Sequence, residues 1–263
     1  MSDGTIHLGT CGYGYYDAPT GWKDQYETKL QAFTHDFDLL EVQKSFYKLP
    51  QTKTCEKWKN RADEGFTFTL KAWQALTHTI QSPTWRGNDD QLTEEQRQHF
   101  GNLRPNEEVI NAWDETMERA RALDAPIIVI QCPASFEPTV EHESNLRSLM
   151  SAIDRDGVRI AWEPRGEWLE KPDRVSTICN ELELIHTVDL LRREPFYVGS
   201  TAYVRLHGLN DDPYNYDYDY SKNELKQLRD RLRELADTCD NVYCLFNNFQ
   251  KFSNLRQLEE LLW

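Results

Sequence analysis

The sequence predicts an α/β protein of the (β/α)8 barrel type, and three observations predict it. Eight short runs rich in β-branched and aromatic residues recur along the 263 residues. From the second onward each run ends on a polar residue: Leu39-Leu40-Glu41, Phe68-Thr69-Leu70-Lys71, Ile127 to Gln131, Ile160-Ala161-Trp162-Glu163, His186-Thr187-Val188-Asp189, Tyr203 to His207, and Val242 to Asn247-Asn248. The length is close to the typical barrel, about 250 residues, so a single domain over residues 1–263 is the economical reading. In such a fold the carboxyl ends of the strands converge and carry the active site. The chain therefore reads as an enzyme scaffold before any motif is considered.

Taken in order, Ile6-His7-Leu8-Gly9 opens the series of strands, and the gaps between strands carry helical signals. Asp24 to Phe37 places Tyr26, Leu30 and Phe33 at helical spacing. Asn106 to Leu123 repeats Val109-Ile110, Trp113, Met117 and Ala120 as an apolar stripe. Ser221 and Glu224 form a capping box opening a helix with Leu225, Leu228, Leu232 and Leu235. Ser253 to Trp263 closes the cycle with Leu255, Leu258, Leu261 and Leu262. The irregular connection is the long excursion after the third strand, about residues 72–123. Its polar stretch Ser82 to Gln91 has turn chemistry and little periodicity, the pattern of a lid or of a plain surface excursion.

Composition narrows the classes. Forty-four acidic against thirty basic residues give a formal net charge of −14, which repels polyanions and disfavours nucleic acid as a partner. Six cysteines show no CxxC pair and no zinc-type spacing, so free thiols in a reducing, cytoplasmic compartment are expected. The N-terminus Met1-Ser2-Asp3-Gly4 has no basic or apolar leader, and no stretch approaches the roughly 18 apolar residues of a membrane span.

The strand-end residues supply chemistry. Glu41, Lys71, Glu163, Asp189 and His207 are the candidates for acid and base work. Arg165 and Arg205 suit a phosphate or carboxylate, Gln131, Asn247 and Asn248 suit hydroxyls or an oxyanion, and Tyr47 and His78 are rim residues for the substrate. The structural alternative is a ring of salt bridges closing the barrel, for example Lys71 with Glu41 and Arg205 with Glu163, and for His78 a position on a surface helix. Glu163, Asp189 and His207 on successive strands form a set that can hold Mg²⁺, Mn²⁺ or Zn²⁺. Asn247-Asn248 on the eighth strand and the nearby Arg205 weigh against it, so no residue is assigned to a metal. Tyr13, Tyr15, Tyr16 and Trp22 suit stacking on a sugar ring or base, while Phe46 reads as packing between loops. The alternating Tyr and Asp of Asp211 to Tyr220 read equally as a sugar or base site and as loop chemistry.

These motifs, taken in order, resemble the domain of unknown function 72 (DUF72, YecE-like) family. The resemblance rests on Gly9-Thr10-Cys11-Gly12-Tyr13, Glu41 to Pro50, Phe66 to Lys71 with Thr77-His78, Gln131-Cys132-Pro133, Glu163-Pro164-Arg165, Tyr203 to Gly208 and Phe246-Asn247-Asn248. It implies a TIM-type barrel of unassigned activity, grouped with sugar isomerases and compared with endonuclease IV. The chain departs from the usual family pattern at Cys11, where many members carry serine, at Pro164, where Glu-Phe-Arg is common, and in the long segment after Lys71.

The expected function is an enzyme, isomerase-like or lyase-like, acting on a sugar, sugar phosphate or similar small polar molecule by acid and base chemistry. The alternatives are a metal-dependent phosphodiesterase of the endonuclease IV kind and a barrel that binds a ligand without turnover.

Overall fold

The computed structural model describes residues 4–90, 92–212 and 215–263, so Met1 to Asp3, Gln91, Pro213 and Tyr214, each part of a stretch read above, lie outside the described residues. Eight parallel strands close into a barrel in sequence order: β1 (Thr5–Cys11), β2 (Leu39–Val42), β3 (Thr67–Lys71), β4 (Ile127–Gln131), β5 (Arg159–Glu163), β6 (Ile185–Val188), β7 (Thr201–Leu206) and β8 (Asn241–Phe246). This is the expected fold. Asp189, His207 and Asn247 fall one residue beyond their strands, where the ladder ends and a side chain is released to a loop.

Helices follow the strands, with α1 (Lys29–Asp36), α2 (Lys44–Tyr47), α3 (Thr52–Arg61), α4 (Glu94–His99), α5 (Glu107–Leu123), α6 (Val140–Ala152), α7 (Pro172–Glu181), α8 (Lys222–Ala236) and α9 (Lys251–Leu262). α5 and α8 begin where their caps place them, at Asn106 and at the Ser221–Glu224 capping box. α1 starts later than its apolar spacing suggested, because Thr28 and Gln31 form a capping box there and Trp22–Asp24 makes a separate 3-10 turn. α9 starts two residues earlier than expected, at Lys251. Among the described residues no helix is long and apolar enough to cross a membrane.

The chain divides into two compact units. The first comprises Met1–Glu41, Asn60–Phe68 and Ile185–Trp263. In it β1 pairs with β2 and β8, and β7 pairs with β6 and β8. A Cβ on Gly9 would meet the Leu39 carbonyl oxygen at 2.3 Å, so the β1–β2 approach requires glycine. Tyr16, Phe33, Phe37 and Phe252 form an aromatic cluster beside this sheet.

The second unit comprises Val42–Lys59 and Thr69–Leu184. β4 pairs with β3 and β5, and its Ile128, Val129 and Ile130 are fully buried. The buried face of α5, with Val109, Trp113, Met117 and Ala120, matches the stripe read from the sequence except at Ile110, which is only half-buried.

The excursion after β3 is ordered by its own small core. Trp85 stacks on Phe100, both meet Trp73 edge-on, and Leu103 is fully buried. Gly101, Asn102 and Leu103 all have positive φ (88°, 55° and 50°), a left-handed turn that costs roughly 1–2 kcal/mol per non-glycine residue. Hydrogen bonds hold it: the N–H groups of Gly101, Leu103 and Asn102 donate to the carbonyls of Ala75, Leu76 and Thr77.

Candidate active site

In the first unit, β2 contributes Glu41 and β7 contributes Tyr203 and Arg205, two residues apart and thus on one face of the strand. Glu41 Oε2 accepts from the Tyr203 hydroxyl and Oε1 from Arg205 Nη2, both at 2.9 Å. The Glu41 and Arg205 side chains are 0% and 1% exposed, an ion pair taken fully out of water. Cys11, at the end of β1, is also buried. Burial, followed by the Glu41 carboxylate, pushes its thiol up to about 12 against the opposing pull of Arg205. Lys251, at the start of α9, donates to the Cys11 carbonyl at 2.8 Å, and burial holds its ammonium below the ordinary lysine value.

Asp189 and His207 meet in the same unit. The His207 backbone N–H donates to Asp189 Oδ2 at 3.0 Å, and the imidazole Nδ1 lies 3.9 Å from that oxygen. Asp189 Oδ1 accepts from the Leu191 N–H, and Arg192 Nε stands 3.8 Å from Oδ2. Asn248 serves the loop after β7: its Nδ2 donates to the Tyr218 carbonyl and to Asn254 Oδ1, both at 2.7 Å. Asn247 donates its backbone N–H to the Leu206 carbonyl.

That loop is the Tyr/Asp stretch. Tyr218 donates to Glu224, Asp219 accepts from Asn254, and the buried Tyr220 hydroxyl accepts from the Gly208 N–H. Three of its alternating side chains are thus structural, and the Tyr216 ring lies 5.9 Å from the His207 ring. Of the first-loop aromatics, Tyr16 is core, and Tyr15 is 90% exposed.

The second unit holds the other set. Arg165 Nε donates to Glu163 Oε1 at 2.8 Å, its Nη2 lies 2.6 Å from the same oxygen, and Nη2 donates to Gln131 Oε1 at 3.1 Å. Lys71, buried at the end of β3, places Nζ 3.8 Å from the centre of the Phe46 ring, a cation–π contact. Ser45 braces the same strand end, donating to the Lys71 carbonyl at 2.6 Å. Phe46 therefore packs, as expected, but against a charge. Tyr47 is about half exposed, and its carbonyl accepts from Gln74.

His78 is 4% exposed, which removes the alternative of a surface helix position. Its Nδ1 lies 2.7 Å from Thr77 Oγ1, its ring meets Phe46 edge-on at 4.9 Å, and its carbonyl accepts from the Trp85 indole. Burial first, then the Lys71 and Arg165 cations, lowers its pKa to about 3. The imidazole is neutral at physiological pH.

Glu163 lies in the second unit, whereas Asp189 and His207 lie in the first. Among the described residues, one group of His, Cys, Asp or Glu brings its ligand atoms close enough for a metal ion: Glu95 and His99 of α4 with Glu108 of α5, all within 4.8 Å. It sits on the excursion, where His99 and Glu108 already pair at 2.9 Å.

Ser45, Thr77 and Tyr203 lie within the motifs of the family resemblance but carry no role in the sequence reading, and Lys251 has no place in it. The period of two along β7 signals Tyr203 once Arg205 is chosen, and Thr77 adjoins His78. Nothing local marks Ser45 or Lys251.

The chain belongs to the family described as protein of unknown function DUF72, whose model matches residues 7–262. The UPF0759 protein YunF of Bacillus subtilis (strain 168) is 24% identical over 98% of this chain and 94% of that protein. A DUF72 family protein of Enterococcus faecalis V583 superposes with a TM-score of 0.73 at 18% identity, covering 98% of this chain and 95% of that one. More distant barrels of the same fold include the 3-keto-D-glucoside 4-epimerase YcjR of E. coli (TM-score 0.52, 14% identity, 98% and 99% covered) and endonuclease IV of Thermus thermophilus (0.53, 10%, 97% and 98%). At these identities the structural likeness is one of fold, and the substrate must be argued from this chain's own residues.

Proposed function

We propose that this protein is an enzyme that moves protons on a small polyhydroxylated or phosphorylated compound by acid–base chemistry at its strand ends. The observation that carries the reading is the set in the second unit. A buried carboxylate clamped by arginine (Glu163), a buried ammonium (Lys71) and a neutral imidazole (His78) lie together there. Desolvating such ions costs several kcal/mol each, and strand carboxyl ends are where barrels of this class do their chemistry. Glu163 serves as the base, Arg165 and Gln131 orient it, and Lys71 stabilises negative charge developing on substrate oxygen. In the first unit Asp189 and His207 form a second acid–base pair, and Glu41 with Arg205 anchors the strand ends around them. The acidic surface favours a small ligand over nucleic acid, and the free thiols favour the cytoplasm.

The test is isotope exchange in D2O, followed by proton NMR, over a panel of aldoses, ketoses, sugar phosphates, lactones and glycosides, with and without EDTA. Exchange or conversion of at least one compound by the wild type, abolished in Glu163→Gln with the fold intact by circular dichroism, is the expected result. Unchanged turnover in Glu163→Gln would remove Glu163 from the reaction, and an inert wild type would overturn the reading.

A further inference from the structure

Thr77 and His78 are held unusually firmly for two residues in a long connection. The His78 N–H donates to the Gln74 carbonyl at 2.8 Å, the Trp85 indole donates to the His78 carbonyl at 3.0 Å, and the strained turn at residues 101–103 bonds to the carbonyls of residues 75–77. A Cβ on Gly101 would stand 2.6 Å from the His78 carbonyl carbon, so the turn is pressed directly against this segment. Strain retained against one pair of side chains marks a position whose geometry matters.

The hydrogen bond between the two side chains fixes a tautomer. Thr77 is 2% exposed, and among the described contacts its hydroxyl has a single hydrogen-bond partner, His78 Nδ1 at 2.7 Å. A buried hydroxyl that did not donate would leave its proton unsatisfied at a cost of about 1–3 kcal/mol. The hydroxyl therefore donates, Nδ1 accepts, and the ring proton sits on Nε2. Lys71 and Arg165, the cations acting on this ring, oppose a second proton.

We propose that His78 is a neutral Nε2–H imidazole, set in that form by Thr77 as a positioning residue, and that it donates to the carbonyl oxygen of an α-hydroxy carbonyl substrate such as an aldose or ketose. A neutral imidazole is the better-matched donor to an enediolate oxygen, because it polarises the carbonyl without surrendering its proton beforehand. The inference rests on the acid–base reading above and names its substrate class. In the step, Glu163 removes the proton from the hydroxyl-bearing carbon and the C–H electron pair becomes the C=C bond. The carbonyl π pair moves onto oxygen, stabilised by the Nε2–H bond. Glu163 returns the proton to the neighbouring carbon while the hydroxyl proton passes between the two oxygens. Atoms and electrons balance, and no oxidant or reductant enters.

The tautomer is read by long-range proton–nitrogen NMR of uniformly ¹⁵N-labelled protein between pH 5 and 8, with the His78 ring assigned by its absence in His78→Gln. The expected spectrum shows a protonated Nε2 and an unprotonated Nδ1 that do not titrate. Thr77→Val should mix the tautomers, and Thr77→Ser should restore the wild-type pattern. A wild-type ring that becomes imidazolium near pH 6, or that carries its proton on Nδ1, overturns the inference whatever the panel shows. The panel separates the rest: exchange at the α-carbon of a carbonyl compound supports the substrate class, whereas turnover confined to glycosides or lactones overturns it and leaves the acid–base reading standing. An inert panel overturns that reading and the substrate class together, while the tautomer is still decided by the spectra.

Discussion

Arg205 and Glu41 form an ion pair with almost no exposed surface, Nη2 to Oε1 at 2.9 Å, and the Tyr203 hydroxyl supplies the second carboxylate oxygen. Removing one member of such a pair strands the other charge out of water. Arg205→Met is expected to lower unfolding stability by about 3–5 kcal/mol, and Tyr203→Phe by about 1–3 kcal/mol. Urea denaturation followed by tryptophan fluorescence measures both; losses below about 1 kcal/mol for Arg205→Met would mean that the pair is hydrated in solution.

The His78 ring should make stability depend on pH. Its folded-state pKa, about 3, lies below the unfolded value of about 6.5, so between those values the unfolded chain binds more protons. The ring's contribution is complete above pH 6.5 and is lost as pH falls toward 3, with a limiting slope of about 1.4 kcal/mol per pH unit. Subtracting the stability profile of His78→Gln from that of the wild type isolates the effect, and parallel profiles from pH 6.5 to 4.5 would contradict it.

The strained turn is the place where a methyl group should do most harm. Gly101→Ala would bring a Cβ within 2.4 Å of the Thr79 nitrogen at a φ of 88°. We expect a loss above about 2 kcal/mol, together with a shifted His78 resonance. Gly157→Ala, at a φ of 77° but with nothing within 4 Å, is the control for conformation alone and should cost less.

All six cysteines are buried and unpaired by disulfides, and burial raises the thiol pKa of Cys11, Cys55, Cys132, Cys179, Cys239 and Cys244. Native protein at pH 8 should react sluggishly with Ellman's reagent and release six equivalents only in denaturant. Rapid stoichiometric labelling of any thiol in the native state would show local opening there.

The alternation of strand and helix signals was enough to read the barrel, because strands buried between layers leave continuous apolar runs that end abruptly in polar residues. Glu163 could be placed at a strand end on the same grounds, although the arginine expected beside it was Arg205 and the one found there is Arg165. The choice of ion-pair partners could not: Glu41 and Arg205 are separated by most of the chain, and only the ladder registers bring them within 2.9 Å. The excursion resisted reading for another reason. Its order depends on Trp73, Trp85 and Phe100 meeting across turns with no period, and on left-handed residues that Asn102 and Leu103 do not advertise.

On the acid–base function proposed above, the burial of Glu41 with Arg205 sets selection for durability against selection for activity. Matched apolar side chains at those two positions would often hold a core as well as the charges do, or better. A library randomised there and screened solely for survival at high temperature should therefore drift toward leucine and methionine. The same library screened for turnover should return glutamate and arginine, and the gap between the two populations would measure how much robustness the protein forgoes to keep its chemistry.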